Sequence, residues 1–374
     1  MHQQLVPPEI LQKADKILFV THLALGDFTY LQNDLKAFAE QYPHIKIHIW
    51  VDEVRRTRCF WRWKNLQKYA LYDWLNNCPF VAKVYHQTYS PALLKASIKT
   101  ARQEQYPVVV SIATLRPHQY ARLARKITPQ GFVAGMRNSI KFFNIFQRLA
   151  YRKLDVSLNP RLYSAPGRHI SEMYALWFYD LFGLEISEQQ RFPFINIPSR
   201  WVSFAKLRFL KWGIDKQSKR WGRVIFINPY AKTEKRSWSL ENVVELIHSI
   251  KRTDEWGDVS FIVNVVPEAW NNAHKFFDKN STTNVFLFSA DHNFFQLPAI
   301  IQLCDLVISV ETSIMHFANA LHVPVIALMR KKNPEWVPID AKNSTVITAQ
   351  HRKEWVNDIP VQRVIEVLNV IHRG

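Results

Sequence analysis

Short apolar runs alternate with amphipathic segments along the whole chain. Residues 17–20 are a run of apolar side chains, two of them β-branched, that predicts a strand. Residues 27–41 repeat apolar positions with the period of a helix, which predicts a helix. Such alternation predicts parallel sheets with crossover helices, the α/β class. Further strands are predicted at 46–51, 107–113, 223–228, 259–265, 306–310 and 323–328, and further helices at 240–250, 296–303, 312–321 and 361–372.

The alternation runs as two series, which predicts two domains in the 374 residues. Residues 192–198 lie between the series, carry two prolines and lack periodicity, so they suit a linker. We therefore predict domains at 1–195 and 196–374. The last helix, at 361–372, can pack on its own domain or back on the first.

Charge is high and unevenly distributed. The chain carries a net charge of +18, and residues 51–153 alone hold 19 basic and 4 acidic side chains. A surface of this sign attracts anionic partners, so nucleic acid, anionic lipid and phosphorylated glycan all remain open.

The cysteines and the hydropathy of the chain indicate the cellular compartment of the protein. The three cysteines show no CxxC spacing, which disfavours a disulfide framework and suits a reducing cytoplasm. We find no apolar run of the roughly 18 residues that a membrane-spanning helix needs, nor the start of a signal peptide. We expect a cytoplasmic protein that can still lie on a membrane surface.

The first candidate motif is Ala24-Leu25-Gly26-Asp27, directly after the first strand. Gly26 would permit a tight turn into the helix. Asp27 has two readings. It can cap the helix, or it can act as a general base at the edge of the sheet where open α/β folds bind ligands.

Two further strand-to-helix loops carry charge or hydroxyls. Lys235 and Arg236 could neutralise a diphosphate, although a solvated charged loop is an equally good reading. Thr312 and Ser313 would offer hydroxyls and free amides at a helix start, which suits an anion. Glu311 beside them better suits a sugar hydroxyl or a ribose. His316 follows one turn later and either faces the site or serves the packing.

Several familiar motifs are missing. The chain has no GxGxxG, no GxxxxGK[ST] and no GxSxG, which removes the dinucleotide fingerprint, the P-loop and the nucleophile elbow. It also has no Asp-x-Asp, which weakens any metal-dependent chemistry on a nucleotide sugar.

The three loops together resemble glycosyltransferase family 9, the ADP-heptose:lipopolysaccharide heptosyltransferases. The matching segments are ILFVTHLALGD, VIFINPYAKTEKRSW and VISVETSIMHFANALHVP, in the family's order across about residues 16–338. Four features depart from the family pattern. Glu311 stands where aspartate is usual, and Ser313 where glycine is usual. One inserted residue gives Lys235-Arg236-Ser237-Trp238, and Arg330-Lys331-Lys332 replaces a loop with glycine.

The resemblance implies a GT-B fold, two Rossmann-like domains with parallel sheets facing a central cleft. The first domain would bind the acceptor and the second the nucleotide sugar. Asp27 would be the general base of an inverting, metal-independent transfer that needs no cofactor. The implied donor-binding residues are Lys235, Arg236, Glu268, Glu311, Thr312, Ser313 and His316.

The implied substrates are ADP-heptose and the Kdo/heptose inner core of lipopolysaccharide. Arginine forks bind such carboxylates and phosphates well. We expect a monomer bound peripherally to the cytoplasmic face of the inner membrane. The predicted acceptor-binding residues are Arg55, Arg56, Arg58, Arg62, Lys64, Arg116 and Arg137, and the aromatics that could reach lipid are Phe60, Trp61, Trp63, Phe142, Phe143 and Phe146.

Three alternatives stay open. The protein could be a transferase of the same family that uses another nucleotide sugar. It could be a nucleic-acid-binding protein that uses the basic 51–153 surface, although no recognisable motif of that class occurs. It could also be an inactive homologue that acts as a scaffold.

Overall fold

A computed structural model of the protein describes residues 4–140, 144–214, 223–253, 259–280 and 283–373. The chain divides into two compact units, Met1–Arg191 and Phe192–Gly374, here called the first and second domains. The division falls at the start of the 192–198 stretch.

The first domain holds a six-stranded sheet in the order β3-β2-β1-β4-β5-β6, and each neighbouring pair is parallel. The strands are β1 Lys16–Thr21, β2 Lys46–Val51, β3 Val81–Tyr85, β4 Val108–Ser111, β5 Phe132–Met136 and β6 Val156–Leu158. The helices are α1 Pro8–Lys13, α2 Leu25–Gln41, α3 Trp63–Gln67, α4 Ala70–Leu75, α5 Pro91–Gln103, α6 Pro117–Ile127, α7 Ile145–Tyr151 and α8 Ile170–Phe182.

The second domain repeats this plan with a parallel sheet in the order β12-β11-β10-β7-β8-β9. Its strands are β7 Val224–Asn228, β8 Ser260–Asn264, β9 Val285–Phe288, β10 Leu306–Val310, β11 Val325–Met329 and β12 Ser344–Thr348. Its helices are α9 Ser199–Lys211, α10 Leu240–Lys251, α11 Trp270–Lys279, α12 Gln296–Ile301, α13 Ser313–Ala320 and α14 Val361–Arg373.

The central strands are mostly apolar because helices cover both faces of each sheet. Every residue of β7, β8, β10 and β11 is buried, as are all but the first residues of β1 and β2. The α/β expectation is therefore confirmed. The last helix, α14, packs on α10 and β12 inside the second domain, where Val361, Val364 and Leu368 join the core.

Both sheets share one topology. Numbered within its own domain, each follows the order 3-2-1-4-5-6 of doubly wound nucleotide-binding folds. The chain reverses its winding between the first and fourth strands, and ligands bind beyond the carboxyl ends of the strands at that point. The candidate loops follow β1 in the first domain and β7 and β10 in the second, so the topology places them at the two switch points.

One local expectation needs correction. Helix α2 begins at Leu25 rather than at Asp27, so Gly26 lies in the first helical turn and not in a turn before it. Its φ is not positive. The reason is that Ala24 caps the helix with its extended backbone, and Asp27, as the third helical residue, accepts the Ala24 N–H at 3.2 Å. Within the described residues, no helix has both the length and the apolar character to cross a membrane.

Candidate active site

Asp27 lies beside a small cavity at the carboxyl end of β1. The cavity measures about 30 Å³ and is lined by Asp27, His22, Tyr174 and six neighbouring side chains or loop residues. Both carboxylate oxygens of Asp27 are held: Ala24 N–H donates to Oδ2 at 3.2 Å, and the Tyr174 hydroxyl donates to Oδ1 at 3.0 Å. The capping contact and the catalytic placement predicted for Asp27 are therefore compatible.

The surroundings of Asp27 favour its protonated form. Burial raises the pKa of Asp27, while the hydrogen bonds from Tyr174 and Ala24 and the nearby His22 oppose the rise. Tyr174 is itself buried and comes from α8. A carboxylate with a raised pKa is a stronger base than one in water, which suits proton abstraction.

His22 is the second titratable group of the cavity. Burial lowers the pKa of His22, and the carboxylates of Asp27 and Asp52 partly offset this. Its ring stacks on Tyr120 with centroids 6.0 Å apart, and its buried Nδ1 has no hydrogen-bond partner among the described residues. The sequence analysis missed both His22 and Tyr174. His22 was visible as a polar residue between strand and helix, whereas nothing local marks Tyr174.

Two of the predicted acceptor-binding arginines are already paired within the first domain. Arg55 binds the buried carboxylate of Glu53 through Nε and Nη2, both at 2.8 Å. Arg56 donates to Asp52 Oδ1 at 2.5 Å and to the Thr88 carbonyl at 2.7 Å. These two side chains brace the loop after β2, so less of their charge is available to a ligand.

The other five predicted cations are exposed, and they follow β2, β4 and β5 at the same edge as Asp27. Arg116 has φ 56° and ψ 48°, a left-handed conformation that is uncommon outside glycine. The exposed cations are Arg58, Arg62, Lys64, Arg116 and Arg137.

The aromatic side chains predicted to reach lipid differ in how exposed they are in the structure. Phe60, Trp61 and Phe146 are between 65% and 77% exposed. Trp63 is half-buried and donates its Nε1–H to the Thr57 carbonyl at 3.1 Å, so it serves the fold. Phe142 and Phe143 lie outside the described residues.

In the second domain, Lys235 and Arg236 sit on a 3-10 turn after β7. The Ser237 hydroxyl accepts the Ala231 N–H at 3.0 Å, and the buried Trp238 donates its Nε1–H to the Ile359 carbonyl at 3.1 Å. These contacts fix both ends of the turn. Lys235 Nζ lies 5.8 Å from the centre of the Trp355 ring.

The start of α13 is fixed by a buried chain of amides. Thr312 caps the helix by accepting the Ile314 N–H at 3.3 Å. It also accepts from Asn228 Nδ2 at 3.1 Å, and Asn228 Oδ1 accepts from Asn264 Nδ2 at 2.9 Å. The ends of β7, β8 and β10 are thus tied together, with Ser313 as the first residue of α13.

Glu311 is neutralised inside the protein. Its carboxylate is 5% exposed and receives Arg330 Nε and Nη2, both at 3.2 Å, and Asn333 Nδ2 at 3.1 Å. The side chain therefore binds Arg330 rather than facing a sugar. Its charge does not oppose an anion at the start of α13, because the Arg330 guanidinium balances it.

The two remaining predicted donor residues differ in exposure. Glu268 is exposed on the 3-10 turn Pro267–Ala269 after β8. His316 is buried, and its ring centre lies 6.0 Å from that of Trp336. Next to Glu268 is a cavity of about 550 Å³, lined among others by Phe204, Arg208, Trp270, Asn271 and His292.

Comparisons with known proteins identify the family of the chain. The family model of Glycosyltransferase family 9 (heptosyltransferase) matches residues 166–358, more than half of the chain. A search of curated proteins finds no match.

Solved structures of the family share the fold. A family 9 glycosyl transferase from Veillonella parvula is 15% identical with a TM-score of 0.74, and the match covers 96% of this chain and 97% of that one. E. coli ADP-heptose lps heptosyltransferase II is 17% identical with a TM-score of 0.66, covering 96% and 98%. E. coli heptosyltransferase WaaC with ADP is 16% identical with a TM-score of 0.64, covering 95% and 99%.

The protein is thus a two-domain α/β glycosyltransferase of the GT-B fold. It belongs to glycosyltransferase family 9.

Proposed function

We propose that this protein is an inverting transferase that moves heptose from ADP-heptose onto the inner core of lipopolysaccharide. The observation that carries the proposal is the carboxylate of Asp27, held through both oxygens beside a cavity at the switch point of the first sheet. That cavity can hold a group about the size of water, such as an incoming hydroxyl.

The transfer proceeds by a single displacement. Asp27 takes the proton of the acceptor hydroxyl while that oxygen bonds to the anomeric carbon of the donor. The bond from the anomeric carbon to the diphosphate breaks, and the nucleoside diphosphate leaves with the electron pair. One displacement inverts the configuration at that carbon.

Protein groups stabilise the leaving diphosphate in this mechanism. Lys235 and Arg236 supply positive charge after β7, and the N–H groups at the start of α13 supply the positive end of a helix dipole. Thr312 and Ser313 set that helix start. With these charges and no Asp-x-Asp in the sequence, we propose a metal-independent reaction.

The donor nucleotide would lie along the carboxyl edge of the second sheet. Glu268 is exposed and suits the ribose hydroxyls, while Trp270 and Phe204 in the adjacent 550 Å³ cavity suit a stacked nucleobase. Glu311 and His316 support this edge from within, since both side chains are buried.

The acceptor would be an anionic glycolipid that the first domain binds. Arg58, Arg62, Lys64, Arg116 and Arg137 form an exposed cationic edge near Asp27 for its carboxylates and phosphates. Exposed Phe60 and Trp61 beside them suit the lipid surface, so we propose a monomer bound peripherally to the cytoplasmic face of the inner membrane.

A second donor is favoured by one observation. Arg330 binds Glu311, and exposed Lys331 and Lys332 follow it, where the resemblance leads us to expect a glycine loop. A changed loop beside the donor site can change the sugar, so a family 9 transferase with another nucleotide sugar is the alternative.

The test is calorimetric titration of the full chain with ADP, UDP, GDP and CMP in EDTA. We expect ADP to bind tightest, and Lys235→Ala and Arg236→Ala to weaken it. Lys342→Ala is the matched control, because Lys342 is exposed just before β12, at the opposite edge of the sheet. Tighter binding of UDP or GDP would select the alternative donor, and no nucleotide binding would refute the transferase mechanism.

A further inference from the structure

A groove of about 840 Å³ lies in the first domain, away from the Asp27 cavity. Arg137 and Asn138 follow β5 on one side of it, and Leu158 and Asn159 mark the end of β6. Helix α7 contributes Arg148, Tyr151 and Arg152 to the lining. The volume lies within the range of about 300–1,000 Å³ found for small-molecule sites.

The groove is positively charged, because its lining holds three arginines and one carboxylate. Arg137, Arg148 and Arg152 all line it and are exposed. No described carboxylate pairs with Arg137 or Arg152, in contrast to Arg55 and Arg56. The carboxylate in the lining is that of Asp180, which accepts a short hydrogen bond from the Tyr163 hydroxyl. Guanidinium groups without a carboxylate partner favour an oxyanion ligand.

The rest of the lining indicates the kind of molecule that carries this anion. Asn138, Ser139, Ser157 and Asn159 supply amide and hydroxyl groups, which both donate to and accept from sugar hydroxyls. The Tyr151 ring adds an apolar face, with the Arg137 guanidinium 5.8 Å from its centre. Cations, amides, hydroxyls and one aromatic ring together suit a sugar that bears an acidic group.

The position of the groove relates it to Asp27. Strand β4 alone separates β1 from β5, so the ends of β1 and β5 are roughly 10 Å apart at the usual strand spacing. A sugar in the groove could therefore belong to the same oligosaccharide as the hydroxyl at Asp27.

We propose that this groove is a subsite for an acidic sugar, carrying a carboxylate or a phosphate, within the acceptor chain. That the sugar belongs to the acceptor rests on the proposed function. The binding of an acidic sugar in the groove does not depend on it. It adds Arg148 and Arg152 to the acceptor site and gives Arg55 and Arg56 a bracing role instead.

Binding to the full chain tests the subsite without any transfer reaction. The probes are glucose 6-phosphate and galacturonate, with glucose as the neutral control, followed by NMR titration at low salt. The variant is Arg137→Gln/Arg152→Gln, and the matched control is Arg161→Gln, an exposed arginine just outside the lining. We expect both acidic sugars to bind the wild type and the control, and the double variant to bind at least tenfold more weakly.

Several outcomes would overturn the subsite. They are equal binding by the double variant, equal binding of glucose, or no binding of either acid by the wild type. Loss of binding to phosphatidylglycerol vesicles in the double variant, with binding of the sugars unchanged, would make the groove a membrane contact instead.

Kinetics separate this inference from the proposed function. Asp27→Asn should slow transfer by about 10²–10⁴-fold yet leave the binding of both acidic sugars intact. The double variant should raise KM for the acceptor while ADP affinity stays unchanged. Binding of the acids without any nucleotide binding would retain the groove and refute the transferase mechanism.

Discussion

Replacing Tyr174 by phenylalanine tests whether the ionisation of Asp27 governs the reaction. The substitution removes only the hydroxyl that donates to Asp27 Oδ1 at 3.0 Å. Among the interactions that lower the pKa of Asp27, this hydrogen bond is the strongest, and burial acts against it. Without it the pKa of Asp27 rises further, so a smaller fraction of the carboxylate is ionised at a given pH below that pKa.

The size of the effect follows from the hydrogen bond. A hydrogen bond to a charged group contributes about 1.5–3 kcal/mol, and about 1.4 kcal/mol corresponds to a factor of ten. Activity on the acid side of the profile should therefore fall by about 10- to 100-fold. Activity at high pH should recover, because Asp27 is then ionised in both the wild type and Tyr174→Phe.

The assay is kcat/KM for transfer measured across the pH range in wild type and Tyr174→Phe. His22 and Tyr69 also interact electrostatically with Asp27, so the profile is fitted for its acid limb alone. Tyr85→Phe is the matched control, since it removes a buried hydroxyl that bonds Tyr106 instead. A uniform loss of activity at every pH, with no displacement of the acid limb, would refute the reasoning.

Three other predictions use different measurements. Asp27→Asn should lower kcat by about 10²–10⁴-fold with ADP affinity unchanged in calorimetry, and a smaller loss would remove Asp27 as general base. Arg330→Ala should cost about 3–5 kcal/mol in urea denaturation, because it strands the buried Glu311 carboxylate, while Arg330→Ala/Glu311→Ala should cost less. Asp34→Asn should raise the melting temperature more at pH 8 than at pH 4, whereas exposed Glu188→Gln should not; an equal gain at both pH values would contradict this. The sign follows because burial raises the pKa of Asp34 well above its usual value, so the folded state loses stability as pH rises above the unfolded pKa of about 4.

Local patterns predicted seven strands and the position of Asp27, but they missed β3, β5, β6, β9 and β12. Strand β10 has the bounds that its apolar run indicated, since a buried parallel strand is apolar on both faces. Asp27 follows β1 at the sheet edge because its place in a strand-to-helix loop depends only on sequence order. The helix start was misplaced by two residues, as helix bounds often are when a backbone cap replaces a side-chain cap.

Contacts between residues that lie far apart along the chain could not be predicted from the sequence. Tyr174 lies 147 positions from Asp27, and no local pattern marks a tyrosine on α8 as its partner. The charges of Arg55 and Glu311 were visible, but their partners were not, so both were predicted to bind ligands. A charged side chain in a motif indicates binding only after its internal partners are known.

The Glu311–Arg330 pair also bears on how segments of this chain can be exchanged with those of relatives. Two of the positions that depart from the family pattern, separated by 19 residues, hold the two halves of one ion pair. A change that removed Arg330 alone would leave the buried Glu311 carboxylate unbalanced. Chimeras with relatives should therefore exchange both segments at once, since a crossover between them would separate the two halves of the ion pair.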